Sequence, residues 1–205
     1  MNKYLITLVC TLFLFAGPVY SFSMNDKELA AQNLYLEAVY KGGMKRIEKA
    51  EKEYSALLKT GKHPINYKLR IASLTAMKAK YVFWPHEKMG YANESMRTFD
   101  RLQRKIDKKD SMALTYEFHM YRGRTYINFP FFFNKKELAM EDMKKAAEMA
   151  VTLKRPTEEL GSFYLEYAEY LKKDNLQEDA KTYAKKALQN QLSKEEINRA
   201  KRLLK

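Results

Sequence analysis

From Met24 onward, apolar residues recur at spacings of three and four, with polar residues between them. That period buries one stripe of a helix and leaves the other in water. The alternation by two that marks a half-buried strand is almost absent. Breaks at Gly42-Gly43, Gly61–Pro64, Trp84-Pro85, Lys108–Asp110, Phe129–Asn134, Arg155-Pro156, Lys173–Asn175 and Gln191–Ser193 cut the pattern into nine helical pieces. These run over about 26–41, 44–60, 65–82, 86–107, 110–128, 135–153, 156–173, 176–190 and 194–204. Pro64 and Pro156 stand where a first helical turn tolerates proline, and Ser193 with Glu196 forms a capping box for the last piece.

The first residues follow a different pattern. A continuous apolar run, Tyr4 to Ala16, sits between Lys3 and the break Gly17-Pro18, and small residues follow at Ser21 and Ser23. The run is shorter than the ~20 residues that span a bilayer. A charged start, short apolar core and small exit residues describe a secretory signal over 1–23, cleaved after 21 or 23, with an uncleaved anchor as the alternative. Residues 24–205 then form one helical domain. Cleavage removes Lys3 and no acid, leaving a net charge of about +12, and also removes Cys10, the only cysteine. An exported chain without cysteine holds together by core packing alone. The expected location is a bacterial periplasm, or the outside of a single-membrane cell.

Small residues recur where two helices would meet. Ala38 lies twelve before Ala50, and Ala168 twelve before Ala180, with Tyr54, Leu57, Tyr164 and Leu171 as large neighbours. Ala76, Ala92, Met96 and Phe99 have counterparts 47 residues on at Gly123, Ala139, Met143 and Ala146. Both of these middle pairs carry an enlarged aromatic turn, Phe83-Trp84-Pro85 in one and Phe129-Pro130-Phe131-Phe132-Phe133 in the other.

This alternation of small and large residues resembles the tetratricopeptide repeat, over nearly all of 24–205. The resemblance implies an all-α, right-handed α-solenoid of about four antiparallel helix pairs. The repeats would be about 26–60, 64–107, 110–153 and 156–190, followed by a solubilising cap at 193–205. It also implies a concave groove lined by the first helix of each pair. That groove would show Gln32, Tyr35 and Val39, then Arg70, Ser73, Met77, Lys80 and Tyr81, then Glu117, Met120, Arg124 and Asn128, and last Leu165, Glu169 and Lys172. The Lys/Asn carboxylate clamp of some chaperone-binding members is not reproduced.

Little in the chain carries chemistry. His63, His86 and His119 lie on different elements without metal spacing. No phosphate loop, nucleophile elbow or His-Glu-x-x-His occurs. Glu158-Glu159 and Glu195-Glu196 sit in first helical turns, where the dipole favours acids. The expectation is no enzyme, no cofactor and no metal.

Binding is the better-supported class. The middle of the groove is basic with methionine and tyrosine interleaved, which suits a protein or peptide carrying acidic groups. Lysine doublets at 108–109, 135–136, 144–145, 172–173 and 185–186 spread a positive field that attracts anionic partners. For an exported chain these are acidic proteins, lipid headgroups or wall polymers, not nucleic acid. The aromatic turns, with Phe83, Trp84, Phe131 and Phe132 foremost, have three readings. They could plug the gap between helix pairs, form a hook or pocket, or dip into a membrane, for which Trp84 and Phe131 must reach the interface together. The sequence thus supports an exported binding scaffold or adaptor. Its rivals are a small-molecule-binding accessory protein of envelope transport, holding an apolar ligand near Trp84 and Phe131, and a structural protein held on anionic lipid or wall polymer.

Overall fold

The computed structural model describes residues 24–106, 111–154 and 157–205. The expected leader at 1–23, the break at Lys108–Asp110, Pro156, and the side chains of Glu158 and Glu159 lie outside what is described. Nine α-helices and no strand occur among the described residues. They are α1 (Asp26–Lys41), α2 (Met44–Leu58), α3 (Pro64–Lys78), α4 (Pro85–Gln103), α5 (Met112–Tyr126), α6 (Lys136–Thr152), α7 (Thr157–Lys173), α8 (Gln177–Leu188) and α9 (Lys194–Leu203). The expected ends hold to within about four residues, because Gly, Pro and caps set them. Pro64 and Pro85 open α3 and α4, and Ser193 and Glu196 form the expected capping box. Asn25 and Glu28 form a second box at α1, which the sequence reading missed.

The chain divides after Ala146 into two compact units. In the first, neighbouring helices pack as pairs, and α3 also packs on α1 and on α5. The contacts fix the direction of stacking. The Tyr35 hydroxyl meets Ser73 Oγ at 3.2 Å, and Arg70 Nε donates to Gln32 Oε1 at 3.4 Å, both 38 residues apart. A constant offset between contacting residues means that α1 and α3 run parallel and in register. Arg70 and Glu117, 47 residues apart, join α3 to α5 at equivalent positions. The second helices run back. Glu51 of α2 accepts from both Thr75 and Lys78 of α3.

The 47-residue correspondence holds different chemistry in its two copies. In the α3/α4 pair, Ser95 Oγ donates to the Ala72 carbonyl at 2.8 Å. In the α5/α6 pair the same places hold Asp142 and His119. Asp142 is fully buried and takes Arg122 Nε at 2.6 Å, Arg122 Nη2 at 2.8 Å and His119 Nδ1 at 2.7 Å. Arg122 also donates to Gln103 at 2.6 Å. Gly123 permits this approach, since a Cβ there would stand 3.0–3.2 Å from Met143, Asp142 and the Ala139 carbonyl.

The second unit repeats the plan on a smaller scale. Ala168, Ala180 and Ala184 are fully buried where α7 meets α8, and Tyr164 and Tyr167 close around Tyr183. Burial pushes the Tyr167 hydroxyl up to about 12. Helix α9 lies parallel to α7. Ser162 donates to Glu196 at 2.7 Å, Arg199 grips Glu169 at 2.6 and 2.8 Å, and Lys172 reaches the Arg202 carbonyl at 3.3 Å. The expected cap therefore stacks as the first helix of another pair would. It occupies Glu169 and Lys172, two of the expected groove positions, while Leu165 is buried.

Candidate functional site

Parallel stacking of α1, α3 and α5 brings their C-terminal ends, and the turns that follow, to one edge of the first unit. A direct contact marks this. The Tyr81 hydroxyl, just past α3, stands where a Cβ on Gly42 would be, in the turn after α1. Gly42 and Gly43 have φ of +63° and +95°, so that turn requires glycine on both counts.

This edge is lined with exposed aromatic rings. Tyr40 is 81% exposed beside exposed Val39 in the first turn, Phe83 is 80% and Trp84 56% exposed beside exposed Tyr81 in the second, and Phe131 is 92% exposed beside exposed Phe132 in the third. Each turn has a local reason for its shape. Trp84 is extended, as a residue before proline must be, and stacks on His86 with ring centres 6.3 Å apart. Phe83 meets Trp84 edge-on at 5.1 Å. Residues Phe131–Phe133 make a single 3-10 turn, closed by Asn134 in the left-handed region at φ 49°.

The run at 129–133 divides its work. Phe129 and Phe133 are half-buried and stack in series on Tyr126, with centres 5.4 and 5.3 Å apart. They are the footing of the turn. Phe131 and Phe132 point outward from it. Half-buried and exposed rings thus fall on different residues of the run.

The groove residues expected from the sequence divide in two. Tyr35, Arg70 and Met120 pack in the interior rather than at an open surface, with Gln32, Ser73 and Glu117. The reason is the in-register stacking of first helices, which turns equivalent positions toward one another. Arg70 is 1% exposed. It donates from Nη1 to the Asn66 carbonyl at 2.8 Å and to Glu117 at 3.3 Å, and its guanidinium lies 4.8 Å from the Tyr121 ring centre. Asn66 donates to the same Glu117 oxygen at 2.8 Å, and Tyr54 donates to Gln32 at 2.9 Å. Burial, with neighbouring hydroxyls and Glu117, pushes the Tyr54 hydroxyl well above its ordinary range.

The other half remains accessible. Met77 and Arg124 are half-buried, and Lys80, Tyr81 and Asn128 are exposed. All five lie in the last turn of α3 or α5 or just beyond, beside the aromatic turns. Two separate expectations, a groove and a hook, thus meet at one edge. Val39 and Tyr40 extend it to a third turn. The sequence reading placed Val39 in the groove and did not single out Tyr40, although the pair directly precedes Gly42-Gly43.

Each turn segment, 37–46, 77–89 and 124–137, carries three basic residues and one acid. Lys41 pairs with Glu37 at 3.1 Å, and Lys135 lies 5.5 Å from the Tyr126 ring centre. A cleft of about 600 Å³ lies elsewhere, along α4, and is lined by charged and polar residues including Glu87, Glu94, Arg97 and Arg101. Among the described residues no group of His, Cys, Asp and Glu could hold a metal ion, and no helix is long and apolar enough to cross a membrane. No family model, curated protein or solved structure matches the chain.

Proposed function

We propose that the protein is an exported, non-catalytic binding scaffold of the bacterial envelope, built as a right-handed tetratricopeptide-like stack of about four helix pairs. It engages its partner end-on, through the aromatic edge, rather than through the inner faces of its first helices. The observation that supports this reading is the placement of Val39, Tyr40, Tyr81, Phe83, Trp84, Phe131 and Phe132. All are exposed, Val39 and Tyr40 in the last turn of α1 and the others in the segments that follow α3 and α5. Exposed apolar side chains scattered singly need no explanation, but a contiguous set marks a contact surface. The surrounding lysines favour a partner that combines apolar surface with negative charge, either an acidic protein or an anionic envelope component.

The test is sedimentation of the purified protein with envelope fragments, beside a variant with Phe83, Trp84, Phe131 and Phe132 all changed to serine. The variant should keep its helical circular dichroism and thermal midpoint and lose co-sedimentation. A folded variant that sediments like the parent would overturn the reading.

A further inference from the structure

We infer that the aromatic edge docks on an anionic lipid bilayer, an inference that rests on the reading of this edge as the contact surface. The direction of the helices bears on the condition set by the sequence. Trp84 and Phe131 can reach one plane together because α3 and α5 run parallel and in register, so their following turns leave the unit at the same edge. Packed helices lie ~8–10 Å apart. Three successive turns therefore present a row of exposed rings ~20 Å long.

The composition of the row is that of a membrane interface. Phe131, Tyr40 and Phe83 are the most exposed of these rings, Trp84 and Tyr81 are exposed with them, and so are Lys41, Lys80, Lys88 and Lys136. Tryptophan and tyrosine favour the headgroup level, with an apolar body and a polar tip. Lysines there keep their ammonium groups among the phosphates while their stems lie along apolar surface. Each turn segment has an excess of two positive charges in sequence, of which the second segment's Lys78 is engaged by Glu51 of α2.

The backbone suits shallow insertion as well. Main-chain donors without partners are costly at the edge of hydrocarbon. In the third turn Pro130 has no donor. Phe129, Phe133 and Asn134 donate within the turn, to the Tyr126, Pro130 and Phe131 carbonyls at 3.0, 3.1 and 2.9 Å. Pro85 likewise removes a donor from the second turn. A protein partner would need pockets matched to each ring, whereas a bilayer accepts a row of mixed rings without complementary shape.

Trp84 is the only tryptophan, so its fluorescence reports on this edge and on nothing else. The experiment adds vesicles of phosphatidylcholine, with and without phosphatidylglycerol, to the purified chain. The expected result is a blue shift with the anionic vesicles, quenching by brominated lipids, and affinity roughly tenfold or more weaker when the anionic lipid is omitted. Phe131→Ser with Phe132→Ser should weaken binding by a similar factor. Unchanged Trp84 emission overturns the inference, even if the protein sediments with the vesicles, since another face has then bound. So does a shift indifferent to the phenylalanine changes. If vesicles fail while envelope co-sedimentation still needs the aromatic edge, the partner is a protein or a wall polymer: the docking inference falls and the proposed function stands.

Discussion

The two edges of the first unit are made by the same helices and differ sharply in chemistry. One edge holds the turns after α1, α3 and α5, with Tyr40, Phe83, Trp84, Phe131 and Phe132 exposed. The other holds the turn at 59–63, Lys-Thr-Gly-Lys-His, and the exposed Arg104-Lys105 after α4. Its large exposed apolar side chains are Leu29 and Met112. Part of its charge is already engaged, since Lys62 lies 3.7 Å and His63 4.0 Å from Glu28. Both edges are basic, so charge alone distinguishes neither. The aromatic rings do, and packing does not require them there. Phe129 and Phe133 seat the third turn on Tyr126, Phe132 packs on Phe133 at 4.8 Å while staying exposed, and Phe131 is the ring that the turn's packing engages least.

The largest effect should come from a residue that the sequence places in the groove and the fold places inside. Arg70→Ala leaves Glu117 buried without its cation and should cost ~3–5 kcal/mol in denaturant unfolding. A loss under ~1 kcal/mol would mean that Arg70 is not the interior strut its contacts describe. The footing and the projection should then separate. Phe133→Ala should cost ~1–2 kcal/mol, as expected for a half-buried ring, while Phe131→Ala should stay within ~0.5 kcal/mol, as expected of a surface change. Equal costs at the two positions would erase the distinction between seat and exposed ring.

Acid should weaken the polar edge through Glu28. Burial acts to raise the Glu28 carboxyl, but the Tyr67 hydroxyl, the Asn25 N–H, Lys62 and His63 outweigh it and hold the group below its ordinary 4.5. A lowered acid stabilises the fold above the unfolded value and loses that contribution as pH falls through the lowered one. The thermal midpoint should therefore drop below pH 4.5, and Glu28→Gln should flatten that part of the curve. A variant with the same acid limb as the parent would assign the loss to other carboxylates. The smallest effect is expected beneath the third turn. The Tyr126 hydroxyl is buried with no hydrogen-bond partner among the described residues. Tyr126→Phe should leave stability within ~0.5 kcal/mol of the parent or raise it, because the lost hydroxyl made no bond.

The sequence made the helices legible because glycine, proline and capping residues mark nearly every boundary, and the 47-residue correspondence marked the two enlarged turns. It did not reveal which face of each first helix meets its neighbour. Arg70 reads as a groove cation by periodicity. Its burial follows from Gln32 and Glu117 at equivalent places on α1 and α5, and the 38-residue offset that aligns Gln32 with Arg70 is not marked by repeated small residues. Tyr40 escaped notice for a related reason. Its turn has no inserted aromatic segment, only Gly42-Gly43, and its place on the same edge as Phe83 comes from stacking rather than from local sequence. The second unit offers a contrast, since its turn before α8 exposes only Leu176 among its large apolar side chains.

The most direct test replaces one residue at each edge with a photoreactive phenylalanine analogue, Phe131 on the aromatic side and Thr60 on the other, and irradiates the protein in its own envelope. The account predicts a crosslinked product, to lipid or to protein, from position 131 and none from position 60. Crosslinks from position 60 alone, or equal yields from both, would contradict the claim that this protein works through its aromatic edge.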